Sequence, residues 1–336
     1  MSRSLIVLPD DTAQPLLDAI AAAQQSIRVK MFIFTDPALL AAVIEAKRRG
    51  VTVRVMLNPA RRSGEDENAQ SRKTLEGGGV EVKDSNPKFD LTHEKSMVVD
   101  DATAYVMSLN WETENFTHTR DYAVVTRHRP EVDEIIDCFE ADWQRRDFDP
   151  GTQTQLIWCN LNGRNRIAEF IDSAKHTLFL QNERYQDEVI IERLTRAAHR
   201  GVAIHVLARP AHSLKAKKLV EGIEGLRILE DVGAKVHKLR HLKLHAKMML
   251  ADHERAIVGS INLAPGSFDT RRELAICFDN PHAIKRMREV VHADWESSHA
   301  LDLSDDALLA DLEGHGNSGA AETLALRPQS DRDAGG

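Results

Sequence analysis

A chain of 336 residues, 42% hydrophobic and 29% charged, can bury one large core or two of medium size and has the balance of a soluble globular protein. No apolar run reaches the roughly eighteen residues of a membrane-spanning helix, and MSRSLIVLPDDTAQP meets Pro9 and two aspartates after four apolar residues, too soon for a secretory leader, so the expected location is cytoplasmic. A net charge of −8 disfavours wrapping a long duplex, and the three scattered cysteines, Cys138, Cys159 and Cys277, fit buried thiols better than a disulfide framework or a zinc site.

Residues 16–57 predict helix, strand, helix, strand: SIRVKMFIF alternates, PALLAAVIEAKRRG has a helical period ending at Gly50, and VTVRVML is β-branched and alternating. Residues 58–90 predict an exposed polar helix, a GGG turn and the short strand VEV. LTHEKSMVVDDATAYVMSLN, residues 91–110, predicts two strands joined at DDAT, and THTRDYAVV starts another. Near residue 150, ADWQRRDFDPGTQT passes from helix into Pro and Gly, which marks a boundary. Residues 167–208 then repeat the pattern of 16–57, 209–243 answer to 58–90, and LHAKMMLADHERAIVGSIN, residues 244–262, answers to the first strand pair. IKRMREVVHADWESSHA predicts a helix and SDDALLADLE a short further one, while the small polar residues from Gly314 onward predict disorder.

Gly50 and Gly201 lie 151 positions apart and His93 and His245 lie 152 apart, so two units of about 150 residues match nearly end to end. The expected domains are 1–150 and 151–300, followed by a short helix and tail over 301–336. Short, strongly apolar strands need cover on both faces. The expected fold is therefore α/β: two tandem duplicated α/β/α sandwich domains related by a pseudo-twofold axis, with the active site at their interface.

The repeated polar motif carries the chemistry. Side chains two apart on a strand share a face, so His93 points with Lys95 and His245 with Lys247. A pseudo-twofold axis lets both histidines face one cleft from opposite sides, which suits displacement at phosphorus. One imidazole attacks and forms a phosphohistidine; the other protonates the leaving alcohol and later deprotonates the incoming water or alcohol. Lys95 and Lys247 supply positive charge, and Ser108, Asn110, Ser260 and Asn262 supply neutral donors for the phosphate oxygens. Asp121 and Glu273, each 28 residues after a histidine, are candidates for holding an imidazole in the right tautomer. Asp100 and Asp252, at the strand-to-turn junctions, are expected to be structural, as is Gly259. The scheme uses no cofactor and no metal, and the acidic residues near the motifs have neither calcium-loop nor H-E-x-x-H spacing.

HEKSMVVD followed by MSLN, and HAKMMLAD followed by GSIN, resemble the phospholipase D superfamily, whose signature is HxKxxxxD with a following GSxN. The likeness covers residues 1–295 and is nearest to its soluble cardiolipin synthase-like and phospholipase D-like branch. It implies two α/β sandwich domains meeting at the motifs, metal-independent phosphodiester hydrolysis or transfer, His93 as nucleophile and His245 as general acid and base. From the residues alone the two roles are interchangeable. Met107 stands where the family has glycine and is expected to narrow or reshape the first half-site.

The resemblance leaves the phosphodiester open. Two motifs in one chain, the acidic net charge and the absence of N-terminal membrane helices point to a phospholipid at the inner face of a membrane, with a monomer sufficient for a complete site. The basic strip KVHKLRHLKLHAK, residues 235–247, with Arg61, Arg62, Arg271 and Arg272 nearby, could receive either anionic lipid or a nucleic-acid backbone, which keeps a nuclease as the alternative. A non-catalytic scaffold is a third reading, and Met107 is its one argument. Trp111, next to Asn110, is expected to line the pocket.

Overall fold

The computed structural model describes residues 3–59, 64–213, 216–317 and 321. Its organisation follows from two runs of the same local rules. In the first, the strands Ser26–Met31 and Thr52–Leu57 are parallel and joined by the helix Pro37–Arg48, as a parallel pair requires a crossover. Asp36 starts that helix by accepting from the Ala38 and Leu39 amides ahead of Pro37, and Gly50, at φ +94°, lets the chain leave it. In the second run, Asp187 accepts from the Ile190 amide at the start of Glu188–His199, and Gly201 at φ +88° ends it.

The first sheet is ordered Arg3–Leu8, Thr119–Thr126, Thr103–Met107, Ser96–Val99, Ser26–Met31, Thr52–Leu57, Glu81–Asp84. The second repeats that order with Leu156–Trp158, Leu274–Phe278, Arg255–Gly259, Met248–Ala251, Thr177–Gln181, Ala203–Leu207 and Lys235–Lys238, and adds His299–Ala300 at its edge. Register is repeated as well: Ile27 faces Val99 as Leu178 faces Ala251. The duplicated α/β architecture is therefore as expected. The N-terminal strand Arg3–Leu8 was not among the expected elements, because four apolar residues before a proline carry little periodicity.

One face of each sheet is covered by helices. Leu16, Ile20, Leu39, Val43 and Leu75 pack over Val29, Val53 and Met97, while Ile167, Ile171, Ile190 and Leu194 pack over Leu180 and Ile204. The other two faces share a single core, in which Val98, Val106 and Val124 meet Met248, Val258 and Ile276 together with the helices Arg129–Trp143 and Pro281–Glu296. Burial of this apolar surface from both halves at about 25 cal/mol per Å² is what fixes one against the other.

Four crossed contacts complete the junction. Leu91–Thr92 pairs with Arg271–Arg272, and Lys243–Leu244 pairs with Thr119–Arg120. Buried Arg272 reaches Asp142 at 3.0 Å, and buried Arg120 reaches Asp294 at 2.9 Å. Each half thus lends a short strand and an arginine to the other. At the C-terminus the expected short helix is Asp305–Gly314; the disorder expected from Gly314 onward falls mostly outside the described residues. Among the described residues no helix is long and apolar enough to cross a membrane.

Candidate active site

Both histidines follow a crossed strand. The His93 and Glu94 amides donate to the Arg272 carbonyl at 2.9 and 3.0 Å, and the His245 and Ala246 amides donate to the Arg120 carbonyl at 3.3 and 2.9 Å. The backbone of each half therefore sets the other half's histidine. Both imidazoles line one cavity of about 340 Å³, with Asn110, Asn262, Glu183, Arg184, Arg209 and Arg271 also on its wall.

The carboxylates cross in the same way. His93 Nδ1 lies 3.0 Å from Glu273 Oε2 and 3.1 Å from the Ser260 carbonyl, while His245 Nδ1 lies 3.0 and 3.1 Å from the two oxygens of Asp121. A carbonyl and an ionised carboxylate only accept, so each Nδ1 carries the proton and donates it. The lone pair is left on Nε2, the nitrogen needed for attack or proton transfer. Sequence reasoning found both carboxylates but not that each serves the histidine of the opposite half.

The two pairs differ electrostatically. Burial works to raise the Asp121 carboxyl, but His245, Lys247 and Ser108 outweigh it and hold it below the usual range. Burial pushes Glu273 up to about 7 against the pull of Arg271 and Lys95. Burial, followed by the charges of Lys95, Lys247 and Arg271, drives the His93 imidazole well below its ordinary value. His93 is in consequence a neutral imidazole in a cationic pocket.

Lys95 Nζ donates to the His93 carbonyl at 2.7 Å and sits 4.9 Å from the centre of the Phe32 ring. Burial and the neighbouring Lys247 ammonium push Lys95 well below the usual lysine range. Lys247 donates to the His245 carbonyl and makes an ion pair of 2.7 Å with Glu183. Glu183 escaped the sequence reading, since an acidic residue after a strand reads as solvated. The structure places it 12% exposed, paired with Arg209 at 2.6 Å and 3.9 Å from His245 Nε2. Burial opposes its charge, but Lys247, His245 and Arg209 win and hold it well below the usual carboxylate range. In the first half the corresponding position is Phe32, which packs edge-on against His93 at 4.9 Å.

The two asparagines line the cavity as expected, and each has a buried amide oxygen without a partner among the described residues. The serines do not. Ser108 and Ser260 are fully buried: Ser108 donates to Asp121 at 2.6 Å and accepts from the Tyr122 amide, and Ser260 accepts from the Leu274 amide at 3.1 Å. Their expected role as phosphate donors is corrected to that of ties holding the orienting strands. Asp100 and Asp252 are structural, as expected, though they serve a neighbouring strand and not their own turn. With φ of 53° each, they turn outward, and their carboxylates accept from the amides of Gln24, Gln25 and Ser26 and of Lys175, His176 and Thr177.

Gly259 is a necessity of packing. A Cβ there would lie 2.3 Å from Ala275 Cα and from the Leu274 carbonyl oxygen. Met107, at the corresponding place and opposite Ala123, is fully buried in the helix-covered core with Phe34 and Leu109. It neither narrows nor reshapes the cleft, because it points to the outer face of the sheet. Trp111 is likewise corrected: it is fully buried, edge-on to Phe34 at 4.7 Å. The basic strip is divided, with Lys235 and Lys238 on the strand next to the sheet edge and Lys243 paired with Glu114 at the junction, while Arg272 is buried against Asp142. Arg61 and Arg62 lie outside the described residues.

Among the described residues, two clusters have the donors of a cation site. Glu94, Cys138 and Asp142 surround Lys30, whose ammonium lies 3.0 Å from Glu94 and 2.8 Å from Asp142 and so already takes a cation's place. His212, Asp311 and His315 come together near the C-terminal helix and do not line the cleft.

Two Nε2-presenting imidazoles on a cationic cleft at the junction of duplicated α/β halves define a phosphodiester-transfer enzyme of the two-histidine type. The family model for "Cardiolipin synthase, PLD-like domain" matches residues 16–143 and again 167–295, and the chain belongs to that phospholipase D-type family. It is 27% identical over 302 residues to cardiolipin synthase B of Salmonella typhi, covering 77% of this chain and 71% of the relative. Against cardiolipin synthase B of Escherichia coli K12 it is 26% identical over 320 residues, covering 81% and 75%. The fold is similar to that of phosphatidylserine synthase from Haemophilus influenzae Rd KW20, with a TM-score of 0.74 at 11% identity over 96% of this chain and 94% of that one.

Proposed function

We propose that the protein transfers a phosphatidyl group between glycerophospholipid alcohols through a phosphohistidine, using only its own side chains. The observation that carries this reading is the crossed carboxylates, which hold both Nδ1 atoms and turn both Nε2 atoms toward one cleft. His93 Nε2 attacks phosphorus as the P–O bond to the leaving alcohol breaks, and protonated His245 gives its Nε2 proton to that alcohol. His245 then takes the proton of the incoming hydroxyl, whose oxygen displaces His93 and restores it. The assignment of His93 as nucleophile is supported by its neutral form. His245 has carboxylates at both nitrogens, Asp121 and Glu183, the surroundings of a proton donor. Lys95 and Lys247 offset charge on the non-bridging oxygens, with Asn110 and Asn262 as neutral donors.

The relatives named cardiolipin synthase and the carboxylates Glu112, Glu114 and Glu183 on the cleft favour a lipid headgroup over a polyanionic strand. The substrate would be drawn from an anionic membrane surface, and one chain would suffice. The test is product analysis by mass spectrometry after incubation, with EDTA, with phosphatidylglycerol vesicles and a single-stranded oligonucleotide together. Cardiolipin with intact oligonucleotide is the expected product; phosphatidic acid would mean that water is the acceptor. Shortened oligonucleotide with untouched lipid would replace this reading with a nuclease. His93→Ala and His245→Ala should each abolish turnover, and a phosphohistidine should be trapped at His93 in the His245→Ala protein.

A further inference from the structure

A second cavity of about 900 Å³ adjoins the catalytic one, and Arg184 and Arg271 line both. Its walls are the helices Glu188–His199 and Ala216–Asp231, through Ile191 and Ile228, with Ala264 and Pro265 at the start of the short helix Pro265–Asp269. The second helix lies close over Tyr185 because Gly225 has no side chain; a Cβ there would fall 1.9 Å from the Tyr185 carbonyl oxygen. Ile228 is 46% exposed, one of three exposed large apolar side chains among the described residues. Apolar surface of this kind beside a polar cleft marks a binding site more often than an accident of packing.

The mouth has its own character. Arg184 makes no side-chain hydrogen bond or ion pair among the described residues, and burial, reinforced by Arg271, lowers its pKa. The Glu183 and Glu273 carboxylates offset this only in part, and a half-buried guanidinium with no hydrogen-bonding partner is costly unless an anion joins it. The pseudo-twofold relates Arg184 to Ile33 and Arg271 to Thr119, so the pair of cations occurs on one side only and is not imposed by the fold. The groove also carries carboxylates, of which Glu192 is paired with Arg193 and Arg196.

We propose that this groove holds the acyl chain of the phospholipid, with Arg184 and Arg271 at its mouth receiving the lipid's phosphate as it passes to the histidines. The inference rests on the lipid reading above and specifies where the apolar part of the substrate lies. Its support is the continuity of the two cavities and the match between an apolar wall, a cationic mouth and an amphiphilic anion.

The test uses the full chain and two variants on opposite walls, Thr195→Trp and Ile228→Glu, neither of which touches the catalytic cleft. Binding of dioleoyl phosphatidylglycerol in detergent micelles and turnover of soluble dibutanoyl phosphatidylglycerol are measured side by side. Both variants should weaken long-chain binding by about tenfold while short-chain turnover stays within about twofold. Arg184→Met should weaken both. Long-chain binding equal to the parent in both wall variants, or absent from the parent itself, would overturn the groove assignment. A parent that binds the long-chain lipid and turns over neither lipid would instead count against phosphatidyl transfer, with the binding series still deciding the groove.

Discussion

Glu273 and His93 are 180 residues apart in the chain and 3.0 Å apart in space, and Asp121 and His245 repeat the relationship from the opposite side. Each carboxylate fixes the tautomer of the other half's base. Asp121→Asn and Glu273→Gln should each lower kcat by about 10²- to 10⁴-fold with little change in KM, since an amide can hold the wrong tautomer in place. Steady-state kinetics with circular dichroism as a folding control checks this, and near-parental kcat in both variants would remove the carboxylates from the mechanism.

The attacking imidazole must be neutral. Burial and the charges of Lys95, Lys247 and Arg271 depress the His93 pKa, so its neutral form persists where an ordinary histidine is protonated. The acid limb of kcat/KM should therefore lie below about pH 6.5. Arg271→Met should move it upward, as one of the depressing charges is lost. A parental limb above that value would contradict the environment assigned to His93.

Met107 and Gly259 occupy corresponding places with opposite demands. Met107→Ala should cost about 2–5 kcal/mol of stability by opening a cavity in the helix-covered core, and should leave KM unchanged because the side chain does not face the cleft. Gly259→Ala should destabilise through the 2.3 Å approach to the neighbouring strand. Denaturant unfolding beside KM measurements separates the two effects.

The crossed ion pairs should not be equally costly to break. Removing Arg272 leaves Asp142 with Lys30 at 2.8 Å, whereas removing Arg120 leaves buried Asp294 with the Gln181 amide at 3.0 Å as its remaining side-chain partner among the described residues. Arg120→Met should therefore destabilise more than Arg272→Met, approaching the roughly 3–5 kcal/mol of an uncompensated buried charge. Equal losses in urea unfolding would show that Lys30 does not compensate.

Asp100 and Asp252 have depressed pKa values; burial opposes this, but the backbone amides they accept from outweigh it. A depressed folded-state pKa contributes stability at pH values above the unfolded pKa, about 3.9, and that contribution is lost as pH falls through the folded value. Asp100→Asn, which tolerates the left-handed backbone, should cost about 1–3 kcal/mol at neutral pH and progressively less in acid, without altering kcat. A cost independent of pH would assign the effect to shape instead of charge.

The sequence made the duplicated architecture and the two His-Lys pairs readable because the same spacing occurs twice and one copy checks the other. The crossing was hidden. Asp121 and Glu273 match in offset from His93 and His245, yet the pairs aligned in sequence are not the pairs that meet, because the twofold exchanges them. Met107 could have been placed: strand alternation sets it opposite to Val106, which faces the shared core, and so on the outer face. Ser108 and Ser260 were misassigned because a hydroxyl in a phosphate motif is read as a ligand, although a fully buried one has its bonds to make within the strands. Glu183 gave no local signal; aligning it with Phe32 across the repeat is what marks it as unusual.

A peptide bond does for these two halves what affinity must do for separate subunits: it fixes their local concentration whatever the amount of protein made. It also releases them from the rule of identical subunits, under which any residue gained on one side of a twofold axis appears on both. Phe32 beside one histidine and Glu183 beside the other are the mark of that release. Two imidazoles in equivalent frameworks have been given different neighbours, and a division of labour between them can be inherited as a single unit.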